Sequence, residues 1–168
     1  MAVDALKATA ITNADATPPV LNNARLTKMQ MHESVGTAQA TASASIGSTY
    51  RLARIPSNAR VSEVIYSGDA FDTTGAGDIG IYQTAANGGA VVDADFFASA
   101  LLMTSALPNT AVTHESGVFG VEDVEKPLWE ALGLSADPQR NYDVAITLTA
   151  ANGAGATPDV TLRVRWGI

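Results

Sequence analysis

The sequence predicts a mostly-β protein: an antiparallel β-sandwich with one or two short helices. Three observations lead there. Residues 49–83 break into three runs joined by turn material, with β-branched and aromatic residues spaced at period two. Residues 141–149 and 159–166 alternate more cleanly still, with Tyr142, Val144, Ile146 and Leu148 on one face, and Val160, Leu162, Val164 and Trp166 on one face. No regular strand–helix–strand alternation separates these runs, which argues against a parallel sheet.

In chain order, residues 1–17 are polar and alanine-rich, and lack the basic start and apolar run of a signal peptide. They read as a segment that frays or lies as an arm on another subunit. Pro18-Pro19 breaks any helix and begins an extended path. Residues 20–31 carry Leu21, Leu26, Met29 and Met31 at spacings that fit either a short helix or a strand. Residues 37–48 interleave alanine with Thr and Ser between Gly36 and Gly47, the pattern of a loosely packed strand.

The central runs follow. Tyr50, Leu52 and the stem of Arg54 share one side of residues 50–55, and Pro56-Ser57-Asn58 then forms a turn. In residues 60–66, Val61, Glu63 and Ile65 alternate with Ser62, Val64 and Tyr66; in residues 78–83, Ile79 and Ile81 alternate with Gly80 and Tyr82. Three consecutive strands with short links make a meander or part of a Greek key. A strong turn at residues 85–89, AANGG, leads to residues 90–102, where Phe96-Phe97 mark a buried wall in either a helix or a strand. Pro108-Asn109 ends that run, and residues 110–121 are loop-like, with a short strand as the alternative around Val112. Residues 122–132 form the convincing helix, with Val124, Leu128, Trp129 and Leu132 on an apolar stripe that Pro127 kinks or restarts and Gly133 closes. The last two runs read as a long-loop antiparallel hairpin with one dry face. The chain thus divides into residues 1–45, an extended arm with the first strands, and residues 46–168, the sandwich.

Composition narrows the function. The 168 residues fit one domain. Alanine supplies much of the 46% apolar content and aromatics only 6%, so the expected core is modest and leaves room for a neighbour to complete it. Ten basic residues against seventeen acidic ones give a charge of −7, with the basic residues scattered, which excludes a phosphate-neutralising nucleic-acid surface. The absence of cysteine removes disulfides, thiolate chemistry and Cys-type zinc sites. No apolar run reaches the length of a membrane-spanning helix.

Candidate motifs weigh little as chemistry. Residues 75–80, GAGDIG, match G-x-G-x-x-G, but they run into a strand rather than a helix and read as a loop between strands. His32-Glu33 and His114-Glu115 lack metal-protease spacing, and Asp93/Asp95 and Asp69/Asp72 read as turn or cap residues. Ser34, Ser57 and Ser99 sit in no nucleophile elbow. The sequence therefore points to no enzyme, cofactor or metal. Trp129 and Trp166 read as packing anchors, or as interface hot spots where exposed. Arg51, Arg54 and Arg60 flank the central turn, as solvated strand edges or as partners for acids on a neighbouring subunit.

Residues 50–101, residues 114–134 (HESGVFGVEDVEKPLWEALGL), residues 137–149 (DPQRNYDVAITLT) and the final strand together resemble the head decoration, or capsid cement, proteins of tailed bacteriophages. The likeness is one of whole pattern and runs from about residue 48 to the end of the sequence. It implies a β-sandwich, often of jelly-roll type, seated on the outer surface of the capsid. The implied partner is the major capsid protein, bridged by a homodimer or homotrimer that stabilises the head against internal pressure, without catalysis. A carbohydrate- or surface-binding sandwich of a phage tail or fibre is the alternative, with Tyr66, Tyr82 and Trp166 as its aromatic platform.

Overall fold

The computed structural model describes residues 6–153 and 155–168. Among them, eight strands form two four-stranded antiparallel sheets. The strands are β1 (Met31–Gln39), β2 (Thr49–Pro56), β3 (Arg60–Gly68), β4 (Ala76–Gln83), β5 (Val91–Leu102), β6 (Leu107–Ala111), β7 (Asn141–Ala150) and β8 (Asp159–Gly167). Helices are few and short: α1 (Thr9–Asp15), α2 (Ala24–Thr27) and α3 (Leu128–Ala131), with 3₁₀ turns at Ala85–Asn87 and Val121–Glu125.

One sheet has the order β1-β8-β3-β6 and the other β2-β7-β4-β5. β1 pairs with β8, β2 with β7, β3 with β6 and β4 with β5, so the chain behaves as one long hairpin rolled into two layers. Between the layers lie Tyr142, Val144, Ile146 and Leu148 from β7 and Val160, Leu162 and Val164 from β8, all buried. The dry faces expected of these two strands are therefore present.

Their pairing is not. β7 and β8 belong to opposite sheets, so the expected C-terminal hairpin does not form. Nor is there a meander over residues 49–83, because β2 and β4 lie in one sheet and β3 in the other. The turn after β2, closed by the Ala59 N–H donating to the Pro56 carbonyl at 3.0 Å, carries the chain across the sandwich instead of back along the same sheet. Periodicity marks which face of a strand is dry, but not which layer the strand joins.

Other expectations shift by local physics. The early strand occupies Met31–Gln39, and residues 40–48 turn instead of extending, with the Ala44 N–H bonded to the Thr41 carbonyl and the Ser48 N–H to the Ser45 carbonyl. Residues 20–31 split into α2 and the start of β1; the side chain of Leu26 lies outside the described residues, as do residues 1–5 of the arm. In β3 a register shift between Val61 and Glu63 breaks strict alternation, so Val61, Val64 and Tyr66 all enter the core. The helix expected over residues 122–132 is two pieces. Lys126, forced extended by the following proline (φ −91°, ψ 145°), ends the 3₁₀ turn, and α3 starts only at Leu128. The free N–H groups of that start are used: Leu128 donates to the Ala59 carbonyl at 2.7 Å and Trp129 to the Ser57 carbonyl at 2.9 Å.

Residues 90–102 are strand, and a bulged one. Ile79 faces Ala98 and Ile81 faces Asp93, so two residues of β4 are spanned by five of β5. Neighbouring residues of a regular strand point to opposite faces, yet Phe96 and Phe97 are both buried; the bulge makes this possible. Glycines of the 75–80 motif permit it. Gly80 lies inside β4, against the backbone of Asp93 and Ala94, where a Cβ would collide. The motif belongs largely to a strand and not to the loop expected.

Candidate functional site

Strand register places Arg54 of β2 opposite Asp143 of β7. Asp143 is 7% exposed at its side chain and collects both nearby guanidinium groups. Arg54 donates from Nε to Oδ1 at 2.7 Å and from Nη2 to Oδ2 at 3.3 Å. Arg51 donates from Nη1 to Oδ2 at 3.3 Å and to the Gln83 carbonyl at 2.5 Å, and from Nη2 to the Gly89 carbonyl at 2.6 Å. Its guanidinium carbon lies 5.2 Å from the centre of the Tyr82 ring. The register of β2 slips between Arg51 and Ala53, which brings the two arginines to the same carboxylate despite their odd spacing. The result is an open notch of about 300 Å³, lined by Arg51, Leu52, Ala53, Arg54 and Asp143, with one more positive than negative charge. The Asp143 contacts hold the Arg54 guanidinium above its ordinary pKa, the hydrogen bond first and the Coulomb attraction second.

The other sequence-selected residues stand apart from this notch. Arg60 is 7% exposed and donates from Nε to the Glu125 carbonyl at 3.0 Å; its Nη1 has no hydrogen-bond partner. Burial, then the proximity of Arg25, pulls its guanidinium below the ordinary value, against the attraction of Glu130. Trp129 is half-buried beside the β2–β3 turn. Trp166 packs against the core edge, stacked on His32 with ring centres 4.7 Å apart, and donates from Nε1 to Ser34 Oγ at 3.1 Å.

The two His-Glu pairs do not meet. His32 is occupied by Trp166, whereas His114 stacks on Phe119 at 5.4 Å and contacts its carbonyl through Nδ1 at 2.9 Å. Glu115 accepts the Ser99 N–H at 2.7 Å. Among the described residues no group of three or more His, Cys, Asp or Glu is placed to hold a metal ion. Asp69 accepts the Asp159 N–H and Asp72 the Thr73 N–H, so both organise loops. Of the aromatic platform expected for a carbohydrate site, Tyr66 and Tyr82 are buried, and the Tyr82 hydroxyl contacts Thr147 Oγ1. Burial, with Asp69 adding, drives the Tyr66 hydroxyl far above the ordinary phenol range.

Asp143 escaped sequence reasoning because it sits among ordinary wet-face residues; only the β2–β7 register, across 89 positions, reveals its role.

No family model and no curated protein matches the chain. Solved structures do. A chain of the capsid asymmetric unit of cyanophage Pam1 is 17% identical, with a TM-score of 0.52 over 83% of this chain and 86% of that one. A chain of the capsid of Ralstonia phage GP4 is 19% identical, with a TM-score of 0.52 over 83% and 84%. The fold is that of chains found in phage capsids. Both likenesses span most of each chain, so the sandwich as a whole is shared rather than a fragment of it.

Proposed function

We propose that this chain is a structural, non-catalytic virion protein that binds the outside of a phage capsid and cements neighbouring major capsid subunits. The observation that carries the reading is the likeness in fold, over most of each chain, to chains of two phage capsids. The strand order β1-β8-β3-β6 facing β2-β7-β4-β5 supports a jelly roll, the two-sheet architecture that viral capsid domains use. A shell component works through many modest contacts that symmetry multiplies, so it needs a stiff body and surfaces left over for neighbours.

Two features suit such contacts. Within the segment 1–45, the described residues before β1 contribute no buried side chain, and Leu6 and Leu21 are more than 90% exposed. That part is an arm for the shell, and the body from residue 46 on, with β1 added to its edge, is the clamp. Arg51, Arg54, Arg60, Trp129 and Trp166 are the proposed interface residues, as a homodimer or homotrimer on the major capsid protein. The −7 charge favours the outer surface over one facing packaged DNA.

The test is the protein composition of purified virus particles from the source. Hundreds of copies, in a simple ratio to the major shell protein, are expected. A handful of copies would move the chain to the tail or neck, and none would overturn a virion role.

A further inference from the structure

The sequence TAANG occurs twice in the chain, at residues 84–88 and 149–153, so the reactive pair Asn-Gly stands in the same local sequence at Asn87 and at Asn152. The chemistry of that pair needs only water. Once solvent takes its proton, the glycine nitrogen, with no Cβ beside it, attacks the asparagine side-chain amide carbon. The bond to the side-chain nitrogen breaks, ammonia leaves with a proton returned from solvent, and a five-membered imide remains. Water then opens the imide at either carbonyl. Net, one amide and one water become a carboxylate and an ammonium ion. In a folded chain the side chain must be free to swing, and the glycine amide must first leave its own hydrogen bond.

The fold treats the two copies oppositely. Asn87 ends the 3₁₀ turn Ala85–Asn87 between β4 and β5, and residues 85–88 are all exposed. One hydrogen bond holds its side chain, from Nδ2 to Thr84 Oγ1 at 3.1 Å. The Gly88 N–H bonds the Ala85 carbonyl at 3.2 Å within that exposed turn. Space around Gly88 is open: a Cβ there would meet only Gln83 Oε1, at 3.8 Å. Asn152, by contrast, is 3% exposed. Its Nδ2 donates to the Thr41 carbonyl at 3.1 Å and the Ala156 carbonyl at 2.7 Å, and its own N–H to the Ala44 carbonyl at 2.9 Å. Gly153 is pinned with it. Its carbonyl accepts the Ser43 N–H at 3.3 Å, and the Asp72 carboxylate fills the place of a Cβ.

We propose that Asn87 is a site of spontaneous deamidation in the folded protein, and that the fold shields Asn152 from the same reaction. Opening one exposed turn suffices at Asn87, whereas Asn152 reacts only after three chain segments part. The product lies beside the arginine notch. The same turn holds Arg51 through the Gln83 carbonyl at 2.5 Å and the Gly89 carbonyl at 2.6 Å. When the imide opens at its main-chain carbonyl, the backbone runs through the side chain and is one carbon longer between those two acceptors. A carboxylate is also added to a chain already at −7. The Gly89 N–H to Thr84 carbonyl bond, 3.0 Å, which closes the turn, then loosens.

Neither site needs a shell, so the purified full chain serves for the test. It is aged in heavy-oxygen water at mildly alkaline pH and mapped by mass spectrometry, with thermal melts to check that it stays folded. Heavy oxygen is expected in the peptide bearing Asn87, as isoaspartate and aspartate, at least about tenfold faster than in the peptide bearing Asn152. In denaturant the two sites should react at similar rates, because their flanking residues match. Asn87→Gln, at an exposed position, should remove the label from its peptide alone, since the longer side chain closes a larger ring far more slowly. The converted fraction, separated by its added charge, should exchange the Gln83 and Gly89 N–H groups faster than the fresh chain. Equal rates in the folded chain, a faster Asn152, or a preference for Asn87 that persists in denaturant would overturn the proposal. So would an Asn87 that stays intact while the unfolded chain converts. Unchanged exchange at Gln83 and Gly89 would overturn the effect on the turn that holds Arg51.

Discussion

Asp143 shows how much one side chain can organise. It is nearly buried and paired with two arginines that are themselves partly exposed, so its removal strands positive charge without emptying a core position. Asp143→Ala should cost about 1–3 kcal/mol in denaturant unfolding, below the loss for a fully buried pair because water reaches both arginines. Two other carboxylates carry opposite pH signatures. Burial would raise the Asp123 carboxyl, but hydrogen bonds from Lys126 at 2.7 Å and from the Gly120 N–H at 2.8 Å outweigh it and hold it below the ordinary range. Its stabilising contribution is present above the unfolded carboxylate value and is lost as pH falls through the lower folded one. Burial, with Asp95 adding, instead raises Asp93, whose contribution is present at acid pH and is lost as pH rises through the folded value. Asp123→Asn should therefore lower Tm at pH 7, and Asp93→Asn should raise it. The Asp93 difference should shrink as pH falls below the unfolded carboxylate value, and the Asp123 difference only as pH falls further, through its lower folded value.

Among the elements, β5 departs furthest from ideal geometry. Its five-for-two bulge buries Phe96 and Phe97 together, where Phe119 joins them at ring-centre distances of 5.4 Å. The loop that carries Phe119 also covers the free edge of the strand: the Ser116 N–H bonds the Phe97 carbonyl at 3.0 Å and the Phe119 N–H bonds the Phe96 carbonyl at 3.2 Å. An edge that would otherwise invite strand pairing is blunted there. The bulge depends on Gly80, so Gly80→Ala, an ordinary strand substitution elsewhere, should destabilise by about 1–3 kcal/mol in thermal or denaturant unfolding. Hydrogen exchange at Phe96 and Phe97 should quicken with it. The segment 122–132 teaches a related lesson. Its apolar stripe was legible, and Leu128 is indeed buried, but Pro127 left it two short pieces that dock by backbone N–H groups instead of one helix.

At the scale of the whole molecule, the arm and the body are separable in energy. The described residues of α1 bury nothing, and a helix of seven residues is marginal on its own. Deleting residues 1–17 should leave Tm within about 1–2 °C of the full chain, since exposed segments contribute little to stability. Loss of attachment to shells on the same deletion is expected from the proposed function, and unchanged attachment would remove the arm from it.

Alternation made the most regular strands and their dry faces legible, as β7 and β8 show, because it is a property of a few consecutive residues facing one apolar layer, whereas β1, β5 and β6, with weaker or broken alternation, were misplaced, left open or missed. The sequence by itself also determined the charge, the absence of thiol chemistry and the basic residues worth watching. Tertiary structure alone decided that β2 and β3 separate into opposite sheets, that β7 and β8 never pair, and that Arg51 and Arg54 converge on Asp143. Each of these is a choice among distant partners with equally suitable faces. Such a choice is settled only by how all eight strands together close a single core.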